Sequence, residues 1–335
     1  MHYHRMRLLL LLTLTLFCLA VPRPAEAQNF VLPLDCAVGD VCLVQNYADW
    51  NAATGAATDP NCGPLTYDGH DGLDFRAPAD RVRAGVSVLA PAAGVVRGVR
   101  DGEADGAFLR GGVAALNGRD CGNGVRIDHG NGWVSQLCHM RSGSVRVHDG
   151  DRVTAGQALG LIGLSGHTEF PHVHLSLWRN DTKIDPLTGG EIGAGACGAG
   201  AARPGAHWSA AARSALAYRD TRWFELGFTG AAPTQGGNAE DLPANAARQS
   251  AALVFWAIAV GPRQGDVLRV RLYGPDGALV GEGTRTQPRD QAQAWLFTGR
   301  RTPAGGWPAG AYRGEAAVLR GGQVVQTRAA TVTLR

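Results

Sequence analysis

The chain of 335 residues has room for a targeting segment and about two domains. Its apolar fraction of 45% is normal for a protein that buries a core. The net charge of +3 is too small to indicate a nucleic-acid partner, and the sequence contains no long basic run. The composition therefore favours a globular protein that does not bind nucleic acid.

The first 27 residues have the pattern of a secretory signal. A basic start over residues 1–7 precedes an apolar run over 8–20, which is too short to span a bilayer comfortably. Ala25-Glu26-Ala27 supplies a small–x–small cleavage pattern, so we expect the mature chain to begin after it. No later run is long and apolar enough for a membrane helix. The sequence thus predicts an exported protein, periplasmic or secreted, without an integral membrane segment in the mature chain.

Of the seven cysteines, Cys18 lies inside the signal and the others belong to the mature chain. Their even number in an exported protein indicates disulfides rather than free thiols. The remaining cysteines are Cys36, Cys42, Cys62, Cys121, Cys138 and Cys197. Many pairings are open. We favour Cys121 with Cys138 because both lie on what reads as one hairpin, and closing that loop would stabilise the fold by roughly 3 kcal/mol.

The region from residue 64 to residue 188 consists of short apolar segments separated by glycines. The segments with β-type alternation are 86–99, 124–140 and 172–178. Asn131-Gly132 predicts a tight hairpin turn, and residues 147–163 have a strand–turn–strand pattern. No segment has the periodicity of a long amphipathic helix. We therefore predict a mainly antiparallel β domain.

The rest of the chain predicts a second β domain. Residues 189–222 should form a linker with one short helix, in which Ser209 would cap a helix over 210–218. The segments with strand patterns beyond it are 253–260, 266–283, 292–299 and 310–334. We predict an all-β protein with residues 28–63 as an N-terminal extension and residues 223–335 as a β-sandwich of immunoglobulin-like size and unknown role.

Three segments bring histidine and carboxylate side chains into the first β-rich region. GHDGLDF contains His70 and Asp74, CHM contains His139, and PHVHL contains His172 and His174. Residues two apart on a strand point to the same face, so the paired histidines are predicted to project into one cleft. Two imidazoles and one carboxylate form a ligand set suited to catalytic zinc, with a further position for water.

Each of these motifs alone has an ordinary structural explanation. A histidine four residues before an aspartate is most often a surface pair, and a lone histidine after a strand, such as His139, is usually structural. A His-x-His pair on a strand is a metal-ligand pair only in a minority of cases. Their joint occurrence in one β-rich region of an exported chain is much less expected by chance, so together they predict a metal site.

The ordered motifs HDGLDF, GNGVRIDHGNGWVSQLCHM, GDRVTAGQALGLIG and FPHVHL resemble those of the lysostaphin-like zinc metallopeptidases. The resemblance covers residues 64–187, and we assign residues 64–188 to a zinc peptidase domain on that basis. It implies a compact antiparallel β fold of the duplicated hybrid motif type, with an open groove. It also implies hydrolysis of peptide bonds in bacterial cell-wall cross-links, so peptidoglycan peptides are the expected partners.

The resemblance implies roles for individual residues. His70, Asp74 and His174 would bind one zinc ion. His139 and His172 would be catalytic: they would orient the water, shuttle protons or stabilise the oxyanion.

Two positions depart from the pattern of the family. Cys138 stands where alanine is common, and a disulfide to Cys121 would explain it. The run before the last motif is GLSGHTEF, residues 163–170, rather than the commoner Ser-Thr-Gly type. In the family this loop lines the groove, so the second departure concerns substrate preference.

Two other functions are open from the sequence. The same fold can serve as a non-catalytic wall-binding or hydrolase-activating module, although all three ligands and both auxiliary histidines are present here. Residues 147–160 also resemble the hairpins of a biotinyl- or lipoyl-carrier module. Such a carrier needs a modifiable lysine in an exposed turn, and the only lysine of the chain, Lys183, lies outside this segment. The carrier function is therefore disfavoured.

Overall fold

The computed structural model describes residues 28–193, 197–198, 203–233 and 246–335. The predicted secretory signal, residues 1–27, lies outside the described residues, as do parts of the predicted linker. Within the described ranges, none of the helices combines the length and the apolar character needed to cross a lipid bilayer.

The first β region contains an antiparallel sheet of eight strands and a separate pair of strands. The strands are β1 (Leu43–Asn46), β2 (Leu73–Arg76), β3 (Ser87–Leu89), β4 (Gly94–Arg100), β5 (Asn123–Gly130), β6 (Trp133–Met140), β7 (Arg152–Val153), β8 (Ala158–Leu161), β9 (Val173–Arg179) and β10 (Thr182–Ile184). The large sheet has the order β1-β2-β9-β6-β5-β4-β7, with β10 on β9, and β3 pairs with β8. The three central strands of the large sheet are therefore β9, β6 and β5, and β2 lies next to β9.

The predicted hairpin at Asn131-Gly132 is confirmed. Strands β5 and β6 pair in antiparallel fashion around it, and φ is +51° at Asn131 and +77° at Gly132. Two consecutive positive φ angles are typical of the tight hairpin turns that favour Asn-Gly. The predicted strands within 147–163 are also present, but they do not pair with each other. Strand β7 pairs in antiparallel fashion with β4, and β8 pairs in antiparallel fashion with β3. Val153 on β7 and Leu159 on β8 are buried in the core.

The described helices are all short, at six residues or fewer, which agrees with the all-β prediction. They are α1 (Ala79–Ala84), α2 (Ala107–Gly111), a 3-10 turn (Val113–Leu116) and α3 (Ala210–Ala215). The predicted cap is confirmed, since Oγ of Ser209 accepts a hydrogen bond from the backbone N–H of Ala212 at 3.2 Å. The helix ends at Ala215, three residues before its predicted end.

The C-terminal region forms two antiparallel sheets. The strands are β11 (Arg222–Thr229), β12 (Ala252–Val260), β13 (Val267–Tyr273), β14 (Leu279–Thr286), β15 (Gln293–Arg301), β16 (Gly310–Arg320) and β17 (Gln323–Leu334). The first sheet has the order β11-β12-β15 and the second has the order β14-β13-β16-β17. The apolar inner faces of the two sheets share one core, as expected for a β-sandwich.

Strand β12 is buried on both faces. Phe255 and Ala257 belong to the core of the sandwich, whereas Trp256 and Ile258 belong to the core of the first β region. Because successive side chains of a strand point to opposite faces, one strand serves both cores. A continuous apolar run is the sequence pattern of a strand buried on both sides. The two β regions are therefore packed together rather than joined only by a linker.

Three disulfides connect the six cysteines of the described residues. The predicted pair Cys121–Cys138 is confirmed. The other two pairs, which the sequence left open, are Cys36–Cys42 and Cys62–Cys197. The last of these ties the predicted linker to the N-terminal extension.

The disulfides close loops of very different length, with sequence separations of 135, 17 and 6 residues. Replacing Cys62–Cys197 by alanines should lower the free energy of unfolding by about 5 kcal/mol, against about 3 for the hairpin disulfide and about 2 for Cys36–Cys42. The reason is that a longer closed loop restricts the unfolded chain more. Urea unfolding of the three double variants measures these losses. A larger loss for the shortest loop than for the longest would contradict this explanation.

Candidate metal centre

The register of three adjacent strands brings the predicted ligands together. Asp74 on β2 is the direct cross-strand partner of His174 on β9, and His174 is in turn the partner of Cys138 on β6. Side chains of directly opposed residues lie on the same face of a sheet. The pairing therefore places an aspartate and a histidine side by side, with His139 following Cys138 on the next strand.

His70 reaches the same point from the loop before β2 rather than from the strand itself. Its backbone N–H donates to the carbonyl of Tyr67 at 3.0 Å, and the neighbouring N–H of Gly69 donates to Oδ2 of Asp49 at 3.0 Å. Nδ1 of the His70 ring donates to the carbonyl of Tyr47 at 2.6 Å. This bond fixes the ring so that Nε2 faces Asp74 and His174.

Three atoms that could ligate a metal converge at this point. Nε2 of His70 lies 3.1 Å from Oδ1 of Asp74 and 3.1 Å from Nδ1 of His174. Nδ1 of His174 lies 2.8 Å from the same carboxylate oxygen. All three side chains are buried, and their donor atoms lie within 4.8 Å of one another. The group can therefore hold a metal ion.

Each of the three side chains is oriented by a further hydrogen bond. Nε2 of His174 lies 3.0 Å from Oδ1 of Asp71 and 2.8 Å from Oγ of Ser176. Asp71 is itself paired with Lys183. On the other side, Nδ2 of Asn46 donates to Oδ2 of Asp74 at 2.8 Å. A carboxylate behind a histidine and an amide behind a carboxylate are the usual outer partners of protein metal ligands.

These outer bonds determine which ring nitrogens keep their lone pairs. His70 uses Nδ1–H towards the carbonyl of Tyr47, so Nε2 of the neutral ring is an acceptor. In its neutral form His174 uses Nε2–H towards Asp71, so its Nδ1 is then an acceptor as well. Together with the Asp74 carboxylate, three acceptors point at one buried location. Such a group requires a cation or a proton, and the nitrogen and oxygen donors suit zinc.

The ionisation of the ligands agrees with this arrangement. Burial alone would raise the pKa of the Asp74 carboxyl, but His70 and His172 beside it hold that pKa well below its ordinary value. Burial lowers the pKa of His174, but hydrogen bonds to Asp71 and Asp74 outweigh burial and raise it to about 9. A cation that binds His174 at pH 7 therefore has to displace a proton, and its binding weakens as the pH falls.

His139 is turned into the site by an irregularity in the sheet. The register between β5 and β6 shifts between Asn123 and Val125, and His139 has a φ of +63°, in the left-handed region. Bulges of this kind redirect a side chain, and a non-glycine residue at positive φ is uncommon. The backbone N–H of His139 donates to the carbonyl of Cys121 at 2.9 Å. The disulfide between Cys138 and Cys121 joins the same two backbone segments.

The two auxiliary histidines lie next to each other beside the ligands. Nδ1 of His139 donates to the carbonyl of Ser165 at 2.8 Å, and the ring centroids of His139 and His172 are 4.7 Å apart. Nδ1 of His172 donates to the carbonyl of Phe170 at 2.9 Å, while its Nε2 lies 3.3 Å from Oδ1 of Asp74. In both rings Nε2 is the nitrogen that remains for chemistry at the site.

The pKa of His139 lies well below its ordinary value. Burial is the main cause, and the neighbouring rings of His172 and His174 lower it further. His139 is therefore neutral at pH 7, which is the state that can accept a proton.

The structure thus brings together all five predicted site residues, together with orienting residues that the sequence did not predict. Ser176 follows His174 by two on the same strand, and Asp71 follows His70 directly, so the motifs themselves could have indicated both. Asn46 and the carbonyl of Tyr47 come from the N-terminal extension, and no pattern in the sequence connects them to the site.

Fold and side chains together define the class of the region: an antiparallel β domain in which two histidines and one aspartate are placed so that they could hold a metal ion. Residues 68–186 match the family model described as peptidase family M23, so this region is an M23 domain, of the lysostaphin-like family. The M23 family is zinc-dependent, in keeping with the donor set described above.

Two curated relatives match about a third of the chain. An uncharacterized metalloprotease of Buchnera aphidicola subsp. Baizongia pistaciae is 25% identical over 117 residues, which are 35% of this chain and 25% of that protein. The peptidoglycan DD-endopeptidase ShyA of Vibrio cholerae is 31% identical over 108 residues, or 32% of this chain and 20% of that protein. The aligned part thus spans about a quarter or less of the length of either relative.

Among solved structures, the catalytic domain of lysostaphin from Staphylococcus simulans is 20% identical with a TM-score of 0.28. The match covers 42% of this chain and 86% of that one.

Replacing Asp71 by alanine should weaken zinc binding by about 10- to 100-fold, because the Nε2–H of His174 loses the carboxylate that orients the ring. Competition with a chromophoric chelator measures the zinc affinity. Asp80→Ala on α1 is the matched control, since this exposed aspartate accepts a hydrogen bond from the backbone N–H of Arg81 in its own helix. If Asp71→Ala binds zinc as tightly as the control, the hydrogen bond from His174 to Asp71 does not contribute to zinc binding.

Proposed function

We propose that this protein is an exported zinc endopeptidase that hydrolyses peptide bonds in peptidoglycan cross-links. The observation that carries the proposal is the convergence of three buried acceptor atoms, from His70, Asp74 and His174, beside two further histidines. The alternative of a non-catalytic binding module on the same fold does not explain why both auxiliary rings are fixed with Nε2 towards the ligands.

His70, Asp74 and His174 would hold one zinc ion through Nε2, Oδ1 and Nδ1 respectively. Zinc bound there would act as a Lewis acid and would lower the pKa of a water from about 15.7 to roughly 7. The outer bonds from Tyr47 and Asn46 keep the ligands in place without reorganisation during the reaction.

The two auxiliary histidines, His139 and His172, would transfer the proton and stabilise the oxyanion. Nε2 of neutral His139 accepts a proton from the attacking water, and the imidazolium that forms is stabilised at Nδ1 by the carbonyl of Ser165. The water oxygen forms the new C–O bond, the C–N bond breaks, and the proton passes to the leaving amine. His172 in its protonated form would keep Nδ1–H on the carbonyl of Phe170 and would donate from Nε2–H to the oxyanion that develops on the peptide carbonyl.

The substrate class and the compartment rest on separate observations. The relative of known activity, from Vibrio cholerae, is described as a peptidoglycan DD-endopeptidase. The disulfides suit an oxidising compartment outside the cytoplasm, where the bacterial cell wall is built. Incubating the zinc-loaded protein with soluble cross-linked wall fragments, and identifying the products by mass, tests the substrate class and locates the bond that is cut.

Three histidine variants separate metal binding from catalysis. His174→Ala should lose both bound zinc and activity, because a ligand is removed. His139→Ala should keep zinc and lose about 100- to 10,000-fold in kcat, the usual contribution of a positioned general base. His148→Ala is the control, since this side chain is exposed and lies near Asp151, away from the ligands. Zinc content by elemental analysis and cleavage of wall fragments are the two readouts.

A His174→Ala protein with full activity would contradict the proposed function. Full activity of the wild-type protein after exhaustive treatment with a chelator would contradict it equally.

A further inference from the structure

A cavity of about 400 Å³ opens directly beside the metal ligands. Its wall includes Asp74 and His172 from the site and Phe170 from the loop before β9. It also includes Gln293, the first residue of β15 in the C-terminal sandwich, and Ala292, which directly precedes that strand. The space in front of the proposed zinc site is thus enclosed by both β regions.

Gln293 is connected to the ligand strand through a buried arginine. Arg76 follows Asp74 by two residues on β2, is fully buried, and donates from Nη1 to Oε1 of Gln45 at 2.7 Å and to Oε1 of Gln293. Its guanidinium also lies over the ring of Phe170 at 4.6 Å from the centroid. A buried guanidinium is stable only with such partners, so these contacts hold the two regions in one arrangement.

The sandwich is fixed at this place by further contacts. The N–H of Gly261 donates to the carbonyl of Ala292 at 3.0 Å, and an arginine at the start of β11, Arg222, donates to the carbonyl of Val44 at 2.6 Å. Trp256 and Ile258 of β12 belong to the same apolar cluster as the core of the first β region. Ala292 and Gln293 therefore form a stationary wall of the cavity and not the surface of a loosely tethered domain.

We propose that the C-terminal sandwich is a built part of the substrate groove and that Ala292 and Gln293 determine which peptides reach the metal. This inference rests on the proposed function. The lining offers the Nε2 amide group of half-buried Gln293, whose Oε1 accepts from Arg76, and the aromatic ring of Phe170. Amides pair with the backbone of a peptide and an aromatic face packs on its small side chains, so the ligand class is an extended peptide segment.

The test fills the cavity from the sandwich side. In Ala292→Trp the indole occupies space that the peptide needs, whereas zinc content and urea unfolding should match the wild-type protein. Ala329→Trp is the matched control, since Ala329 is exposed on β17 of the same sandwich and does not line the cavity. The readouts are kcat and KM for soluble cross-linked wall peptides, and the Kd of the same peptides for the zinc-loaded protein.

We expect Ala292→Trp to raise KM and Kd by about 10-fold or more, with kcat at saturation changed much less, because binding along the groove is lost while the metal site is intact. Ala329→Trp should change none of these values. An unchanged KM and Kd in Ala292→Trp would overturn the groove assignment while the proposed function stands.

The two failures are distinguishable in the same experiment. If the wild-type protein binds wall peptides without cleaving them, the proposed function fails and the Kd values alone decide the groove assignment. If the zinc-loaded wild-type protein neither binds nor cleaves them, both are overturned.

Discussion

The pairing of β2 with β9 is the constraint on which the site depends. Because Asp74 and His174 are opposed across these strands, their side chains share one face and meet at 2.8 Å. A shift of the register by one residue would turn one of them to the other face of the sheet. Gly72 contributes to this register, since a Cβ at that position would lie 2.3 Å from the carbonyl oxygen of Leu175 and 2.7 Å from Nε2 of His174.

Residues outside the M23 match complete the candidate metal site that the pairing of β2 with β9 creates. The N-terminal extension supplies the carbonyl of Tyr47 and the amide of Asn46, which orient a histidine and an aspartate of the ligand set. The C-terminal sandwich supplies Gln293, which contacts the buried Arg76 on the ligand strand. The site is thus assembled from three parts of the chain. Removing the extension would remove contacts of the ligand set, and removing the sandwich would remove a partner of Arg76. Either loss would expose apolar surface of the shared core.

The sequence predicted the β elements well where local chemistry decides them. The Asn131-Gly132 hairpin, the Ser209 cap and the Cys121–Cys138 disulfide depend on turn conformation, a side-chain oxygen and proximity along one hairpin. The candidate ligands could be predicted because residues two apart share a face and because their motifs resemble those of a family.

Contacts between distant segments were not predictable in the same way. Nothing near Asn46 in the sequence indicates that it orients Asp74, since that bond follows from the pairing of β1 with β2. The left-handed conformation of His139 follows from a bulge opposite β5 and not from its neighbours along the chain. Residues 253–260 were predicted only as a strand of the sandwich, and the sequence did not reveal that the second face of β12 covers the M23 domain.

The central claim is that His70, Asp74 and His174 bind one zinc ion through the atoms that converge in this structure. Crystals of the zinc-loaded protein, measured at the zinc absorption edge, test it most directly. The account predicts a single anomalous peak about 2.0–2.2 Å from Nε2 of His70, Nδ1 of His174 and a carboxylate oxygen of Asp74. A peak bound elsewhere, or ligation of His174 through Nε2, would contradict it.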